Sequence, residues 1–362
     1  MSLASYGKPA SPAVVAVDAL GPFAGVAVLV LLMHFVIGPA VGPYYAKILV
    51  DIAISIVLAV SLNVVNGFTG QFSIGHAAFM AVGGYTAAAI TYFGTVKIWG
   101  GLPLVHADPQ GWGLFVVGTV AGALVAGLFG LFVGLPSLRL RGDYLALVTL
   151  GFGEIVRVLL MQTGSIPDPK VIAEAPLYTL PLKLGGSLGF GGVPTYTNLF
   201  WAWLWAGLTL VIVYRLKAST HGRAFLSVRE DEIAAEAMGI PTTSVKVRAF
   251  VLSAALAGIA GALFAHELGT TLNPKELGFQ KSFEVVIMVV LGGMGSLSGA
   301  VLAAAVLTVL PEVLREFSEY RMIVYALILI LVMLVRPQGL FGIHEVWELP
   351  VVRRLLGGRG PK

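Results

Sequence analysis

The chain has 362 residues, 57% of them hydrophobic and only 12% charged, with a net charge of +4 and a mean hydropathy of +0.90. A soluble domain carries about a quarter charged residues, so water is excluded as the main solvent, and at roughly 20 residues per crossing the apolar content suits about eight to ten transmembrane helices. Cysteine is absent and the few histidines have no ligand spacing, which excludes a disulfide framework and a thiolate metal site and gives no indication of redox chemistry.

Lys8 is the single base before the first apolar run, 23–37, and no small-residue cleavage pattern closes that run, so a retained first span is expected. Further runs lie at 44–65, 74–93, 114–135, 144–161, 199–213, 247–268, 283–310 and 322–335. Helices are expected throughout, because an unpaired amide in hydrocarbon is costly and the alternation of a barrel strand is missing. The whole of 1–362 thus reads as a single transmembrane domain, an all-α polytopic membrane protein.

In the second run Lys47 and Asp51 stand one turn apart, and in the fifth Glu154 and Arg157 are three residues apart, so each pair shares a helix face. Charges at membrane depth are expensive; internal ion pairing and a direct part in solute passage both remain open for these four. The loop 162–197 is rich in Pro and Gly, balances Lys170 and Lys183 against Asp168 and Glu174, and is expected to be extracytoplasmic. Bases collect elsewhere: Arg139 and Arg141, six from Arg215 to Arg248, then Arg336, Arg353, Arg354, Arg359 and Lys362. Such stretches face the cytoplasm, which makes 215–248 a cytoplasmic loop and 336–362 a cytoplasmic tail. The bases act as topology signals, and no nucleic-acid surface is expected.

Inside that loop, Ser227 followed by Glu230 is a capping-box pattern; Glu230, Asp231 and Glu232 suit the positive end of a helix, and Gly239 with Pro241 stop it. A helix at about 228–239 is expected, with Ile233, Ala234, Ala237 and Met238 on one face. A cleft on a soluble partner would bury that face; lipid headgroups or plain solvent are the other readings.

As one straight helix at 1.5 Å per residue, 283–310 would be about 42 Å long and would overspan a core of about 30 Å. Two half-helices around 292–299 are expected instead. That stretch echoes 70–78 in a weak internal repeat: each shows a Gly, then a Ser, then an apolar residue before an Ala-rich helix. In transporters, paired Gly-interrupted segments indicate discontinuous helices near the midplane, whose freed amides favour a carboxylate. Small residues also simply let helices approach closely. On the first reading Asn66, Gln71, Ser73, His76, Ser296 and Ser298 are the polar groups of a translocation pathway; on the second these are packing sites, with His76 a structural hydrogen-bonding group.

Several stretches together resemble a known family: 66–79 (Asn-Gly-Phe-Thr-Gly-Gln-Phe-Ser-Ile-Gly-His-Ala-Ala-Phe), 140–146 (Leu-Arg-Gly-Asp-Tyr-Leu-Ala), 151–157 (Gly-Phe-Gly-Glu-Ile-Val-Arg), 229–239 (Arg-Glu-Asp-Glu-Ile-Ala-Ala-Glu-Ala-Met-Gly) and 336–342 (Arg-Pro-Gln-Gly-Leu-Phe-Gly). Over about 48–342 the chain resembles the LivM-type permease subunit of branched-chain amino acid ABC transporters. The resemblance implies import of aliphatic L-amino acids across the bacterial or archaeal inner membrane. It further implies a LivH-type second permease, two cytoplasmic ATPase subunits holding ATP and Mg, and an extracytoplasmic substrate-binding protein. It makes Arg229, Glu230, Asp231, Glu232, Ile233, Glu236, Ala237, Met238 and Gly239 a coupling helix that contacts an ATPase subunit.

No phosphate loop of the form Gly-x-x-x-x-Gly-Lys-Ser/Thr and no nucleophile-base grouping occurs, so neither a cofactor nor an enzymatic activity is expected on this chain. Related permeases carry urea, short amides or aromatic acids, which stand as alternatives. So does an ion-coupled secondary transporter using Asp51, Glu154 or His76.

Overall fold

The computed structural model describes residues 12–99, 109–137, 144–267, 271–315 and 320–335, together with Gly339, Gly342 and Glu345. Lys8, Arg139, Arg141, Arg336, Arg353, Arg354, Arg359 and Lys362 lie outside the described residues, as does most of the 336–362 tail.

Seven helices among the described residues are long and apolar enough to cross a bilayer: α1 (Leu20–Ala40), α2 (Pro43–Phe68), α3 (His76–Trp99), α4 (Gly111–Ser137), α5 (Tyr144–Met161), α6 (Leu199–Ala218) and α9 (Thr242–Ala265). Between α6 and α9 stand two short helices, α7 (Thr220–Glu230) and α8 (Glu232–Ala237). The last helices are α10 (Phe279–Gly292), α11 (Leu297–Val313) and α12 (Arg321–Val335). No strand forms among the described residues; Phe190 and Leu272 make one isolated antiparallel bridge.

The 283–310 run is indeed divided. α10 has 14 residues and α11 has 17, or about 21 and 26 Å, each short of a core of about 30 Å. Gly293 and Gly295, at φ +105° and +95°, turn the chain between them in a region that side chains rarely enter. The first break has a different setting. α2 runs for 26 residues and closes in a π-helical turn, Val64–Phe68. At about 39 Å it spans the whole core, so the 69–75 break follows a complete crossing instead of interrupting one at the midplane.

Helix contacts sort the bundle into two ends. At one, Lys97 donates to the carbonyls of Ala173 and Ala175 in the 162–197 loop, and Gly111 packs on Tyr196. At the other lie α7, α8, both breaks and the bases 215–248, with Arg215 stacked 4.8 Å from the Phe23 ring. The Arg215–Phe23 contact places the start of α1 at the basic end and so orients the early helices, which sequence parity leaves ambiguous.

The centre is built on glycine. A Cβ at Gly83 of α3 would collide with the Gly258 backbone of α9, one at Gly122 of α4 would lie 2.6 Å from the Gly83 carbonyl, and one at Gly258 would lie 2.8 Å from the Gly122 carbonyl. Lipid tails give helices no hydrophobic reason to associate, so close backbone approach supplies the packing. α2 runs through this core and is 83% covered, whereas α1 is 6% covered and rests on the outside.

Candidate functional site

The two breaks touch each other. Asn63, just before the closing π-helical turn of α2, donates through Nδ2 to the Ser296 carbonyl (3.0 Å) and accepts at Oδ1 from Gly295 N–H (2.9 Å). Gly67 has no room for a Cβ, which would strike Asn63 and the Gly295 nitrogen. Each break is also satisfied internally: Asn66 Oδ1 accepts from Ser73 N–H at 3.2 Å, and Ser296 Oγ caps α11 by accepting from Gly299 N–H at 3.1 Å. At the start of α3, Ile74 N–H donates to Thr149 and Ala77 N–H to Ser282, while His76 Nε2 lies 2.7 Å from Ser61 Oγ. Of the pathway candidates, Asn66, Gln71, Ser73, His76 and Ser296 are buried and Ser298 is part-buried; Gln71 Oε1 has no partner among the described residues.

Charge is distributed around this contact according to helix polarity. Helix C-termini expose unpaired carbonyls and partial negative charge, and N-termini the reverse. Arg229 of α7 donates to Gly67 O at the end of α2 (2.8 Å) and, more weakly, to Met294 O just past α10 (3.4 Å). Lys217 of α6 donates to Gly295 O (3.0 Å) and stands 5.5 Å from the Phe68 ring. At the N-terminus of α11 the tail carboxylate of Glu345 accepts from Leu297 N–H (3.0 Å), Ser298 N–H (2.9 Å) and Ser298 Oγ (2.6 Å), and pairs with Lys217 at 2.5 Å. The half-helix N-terminus does hold a carboxylate, then, and it is the chain's own. Burial works to raise the Glu345 pKa, but Lys217 and the Ser298 and Leu297 donors outweigh it and hold the group below the ordinary carboxylate range.

The 215–248 segment departs from the expected single helix. Ser227 is no cap: it lies inside α7, where its hydroxyl donates to Arg223 O. Ser219 caps α7, and Asp231, in an extended conformation, caps α8 by accepting from Ile233 N–H (2.9 Å) and Ala234 N–H (3.0 Å). A carboxylate that reaches two free amides outcompetes a hydroxyl at a helix start. Gly239, at φ +83°, ends α8 with Ile240 N–H bonded back to Ala235 O, a Schellman closure. Ala235 is the residue α8 buries, while Ala237 and Glu236 are exposed, Ile233 and Met238 are 71% and 83% exposed, and Glu232 pairs with Lys246. Arg229 alone among the coupling candidates turns inward to both breaks.

The expected ion pairs form: Lys47 with Asp51 at 3.2 Å and Arg157 with Glu154 at 2.7 Å. Lys47 also meets Glu267 at 2.5 Å. Glu267 lies beyond the end of α9, buried, beside a cavity of about 530 Å³ lined by His34, Pro43, Lys47, Val50 and Leu199. Burial, helped by the nearby Asp51 carboxylate, pushes the Glu267 pKa up to about 7 against the pull of Lys47. Glu267, Lys217, Glu345 and Asn63 are site residues that the sequence reading missed. Asn63 and Glu267 carry a local signal, as polar groups inside the apolar runs 44–65 and 247–268; Lys217 and Glu345 gain significance only from partners remote in sequence.

A family model described as the permease component of branched-chain amino acid transport systems matches residues 44–333. The chain is 40% identical over 312 residues to the high-affinity branched-chain amino acid transport system permease protein LivM of Salmonella typhimurium, an alignment covering 80% of this chain and 69% of that one. LivM of Escherichia coli K12 is 39% identical with the same coverage. LivH of the same E. coli strain is 26% identical over 80% of this chain and 91% of its own. No solved structure matches.

Proposed function

The chain belongs to the permease-component family of branched-chain amino acid transport systems, and from that premise we propose that it is the membrane-spanning subunit of an ATP-driven importer of leucine, isoleucine and valine. The observation that carries the reading is the 40% identity to a LivM permease over 80% of the chain. A multi-pass bundle with a buried, hydrogen-bonded His76 is consistent with it.

In this reading the basic end faces the cytoplasm, by the excess of Lys and Arg there, and the membrane is the inner one. The partners are a LivH-type permease, cytoplasmic ATPases that hold ATP and Mg, and an extracytoplasmic binding protein that delivers the solute. α8 is the ATPase contact: its exposed Ile233 and Met238 are the anchors a docking cleft would bury. The polar groups at the two breaks line the route when the breaks part.

The test is transport by the complete complex in proteoliposomes with its cognate binding protein. ATP-dependent uptake of leucine without uptake of urea is expected; uptake of urea but not leucine would overturn the substrate assignment.

A further inference from the structure

We infer that Arg229 is a positioning residue whose guanidinium, seated between the two chain breaks, holds them closed, and that transport proceeds when movement of α7 withdraws it. The inference rests on the permease reading above but assigns a role to a residue that points away from any docking partner.

Three observations carry it. First, Arg229 donates to both breaks, to Gly67 O in the closing turn of α2 and to Met294 O two residues past α10, and a planar guanidinium with five donors can serve both while its charge offsets the C-terminus of α2. Second, the breaks are shaped to admit it. A Cβ at Gly295 would strike the guanidinium, and one at Gly70 would lie 3.2 Å from Arg229 Cγ. The glycines of the two repeat-like stretches thus make its seat. Third, Arg229 stands in the last turn of α7, two residues before Asp231, the single extended residue that joins α7 to α8. Displacement of α8 through Ile233 and Met238 therefore reaches Arg229 across one short joint, with no long path to invoke. Lys217 stays on α6 and keeps its own contacts with Gly295 O and Phe68, so release of Arg229 loosens the contact between the breaks without dissolving it.

The test uses the full complex in membrane vesicles, with ATP hydrolysis, leucine uptake and co-purification of the ATPase subunits measured together. Arg229→Gln is expected to keep the ATPase subunits and their hydrolysis near wild-type level while leucine moved per ATP falls at least about fivefold, the lower range of a functional coupling. Arg229→Lys, with a single ammonium in place of the fork, should recover part of that ratio.

A readout independent of the solute uses the cysteine-free chain. Gln71→Cys, buried beside the break, should react with a hydrophilic thiol reagent at least about fivefold faster when Arg229 is also changed to Gln. Unchanged leucine per ATP together with equal labelling rates would overturn the proposal. So would joint loss of ATPase subunits and hydrolysis in Arg229→Gln, which would place Arg229 on the docking face. A wild-type complex that moves no leucine would count against the substrate reading, and the labelling comparison would still decide the role of Arg229.

Discussion

Glu345 shows how one side chain can reach a helix start remote in sequence. Its carboxylate meets two amides, a hydroxyl and an ammonium at the start of α11. Glu345→Gln should leave Lys217 and these donors poorly satisfied and destabilise the protein by about 1–3 kcal/mol. Because its folded-state pKa is depressed, Glu345 contributes stability above the unfolded value near 4.5 and loses it as pH falls through the lower folded value. Thermal unfolding in detergent should therefore differ least between Glu345→Gln and wild type at the acid end. Glu267 has the opposite sign. Raised from 4.5 to about 7, it favours its neutral form when folded, so its contribution is complete below the unfolded value and declines as pH rises through about 7. Glu267→Gln should flatten the loss of thermal stability over that window; an unchanged pH slope would show that Lys47 already holds the group ionised.

At the scale of elements, the segment that the sequence presents as one helix is two, α7 and α8. Asp231 makes the division, because its carboxylate starts a new helix where the chain would otherwise continue. Changing Ile233 and Met238 together to Asp should reduce ATPase co-purification at least about tenfold, the effect of losing a buried anchor pair, and leave the melting temperature unchanged, since both side chains are exposed in this chain. A fall in melting temperature of the isolated subunit would indicate instead that the pair packs within the bundle. Two helix ends at the breaks follow one electrostatic rule: the Arg229 cation at the closing turn of α2, and the Glu345 carboxylate at the N-terminus of α11.

For the molecule as a whole, the glycine contact of α3, α4 and α9 brings three helix backbones directly together. Gly258→Val would force three backbones apart, and overpacking of this kind costs about 1–3 kcal/mol. Reduced membrane accumulation and a lower melting temperature are expected. An equivalent change at Gly25, which has no neighbour within 4 Å, should be neutral by the same measures.

The division between what was legible and what was not follows from range. Membrane residence, helical class and the position of most spans are one-dimensional properties, set by apolar length and by the rule that backbone groups in lipid pair within their own segment. The split of 283–310 was legible for the same reason, because a helix of that length does not fit the core. The pairs Lys47–Asp51 and Glu154–Arg157 were legible because helical periodicity alone brings them together. Ser227 misled because the local pattern is symmetric to a better cap four residues on, and only backbone geometry decides between them. Tertiary structure alone placed Glu267 on Lys47, Glu345 on Ser298 of α11 and Arg229 on Gly67, at sequence separations of 220, 47 and 162. Contacts of that separation leave no periodic trace in a sequence, since they arise only when packing brings unrelated segments to one point.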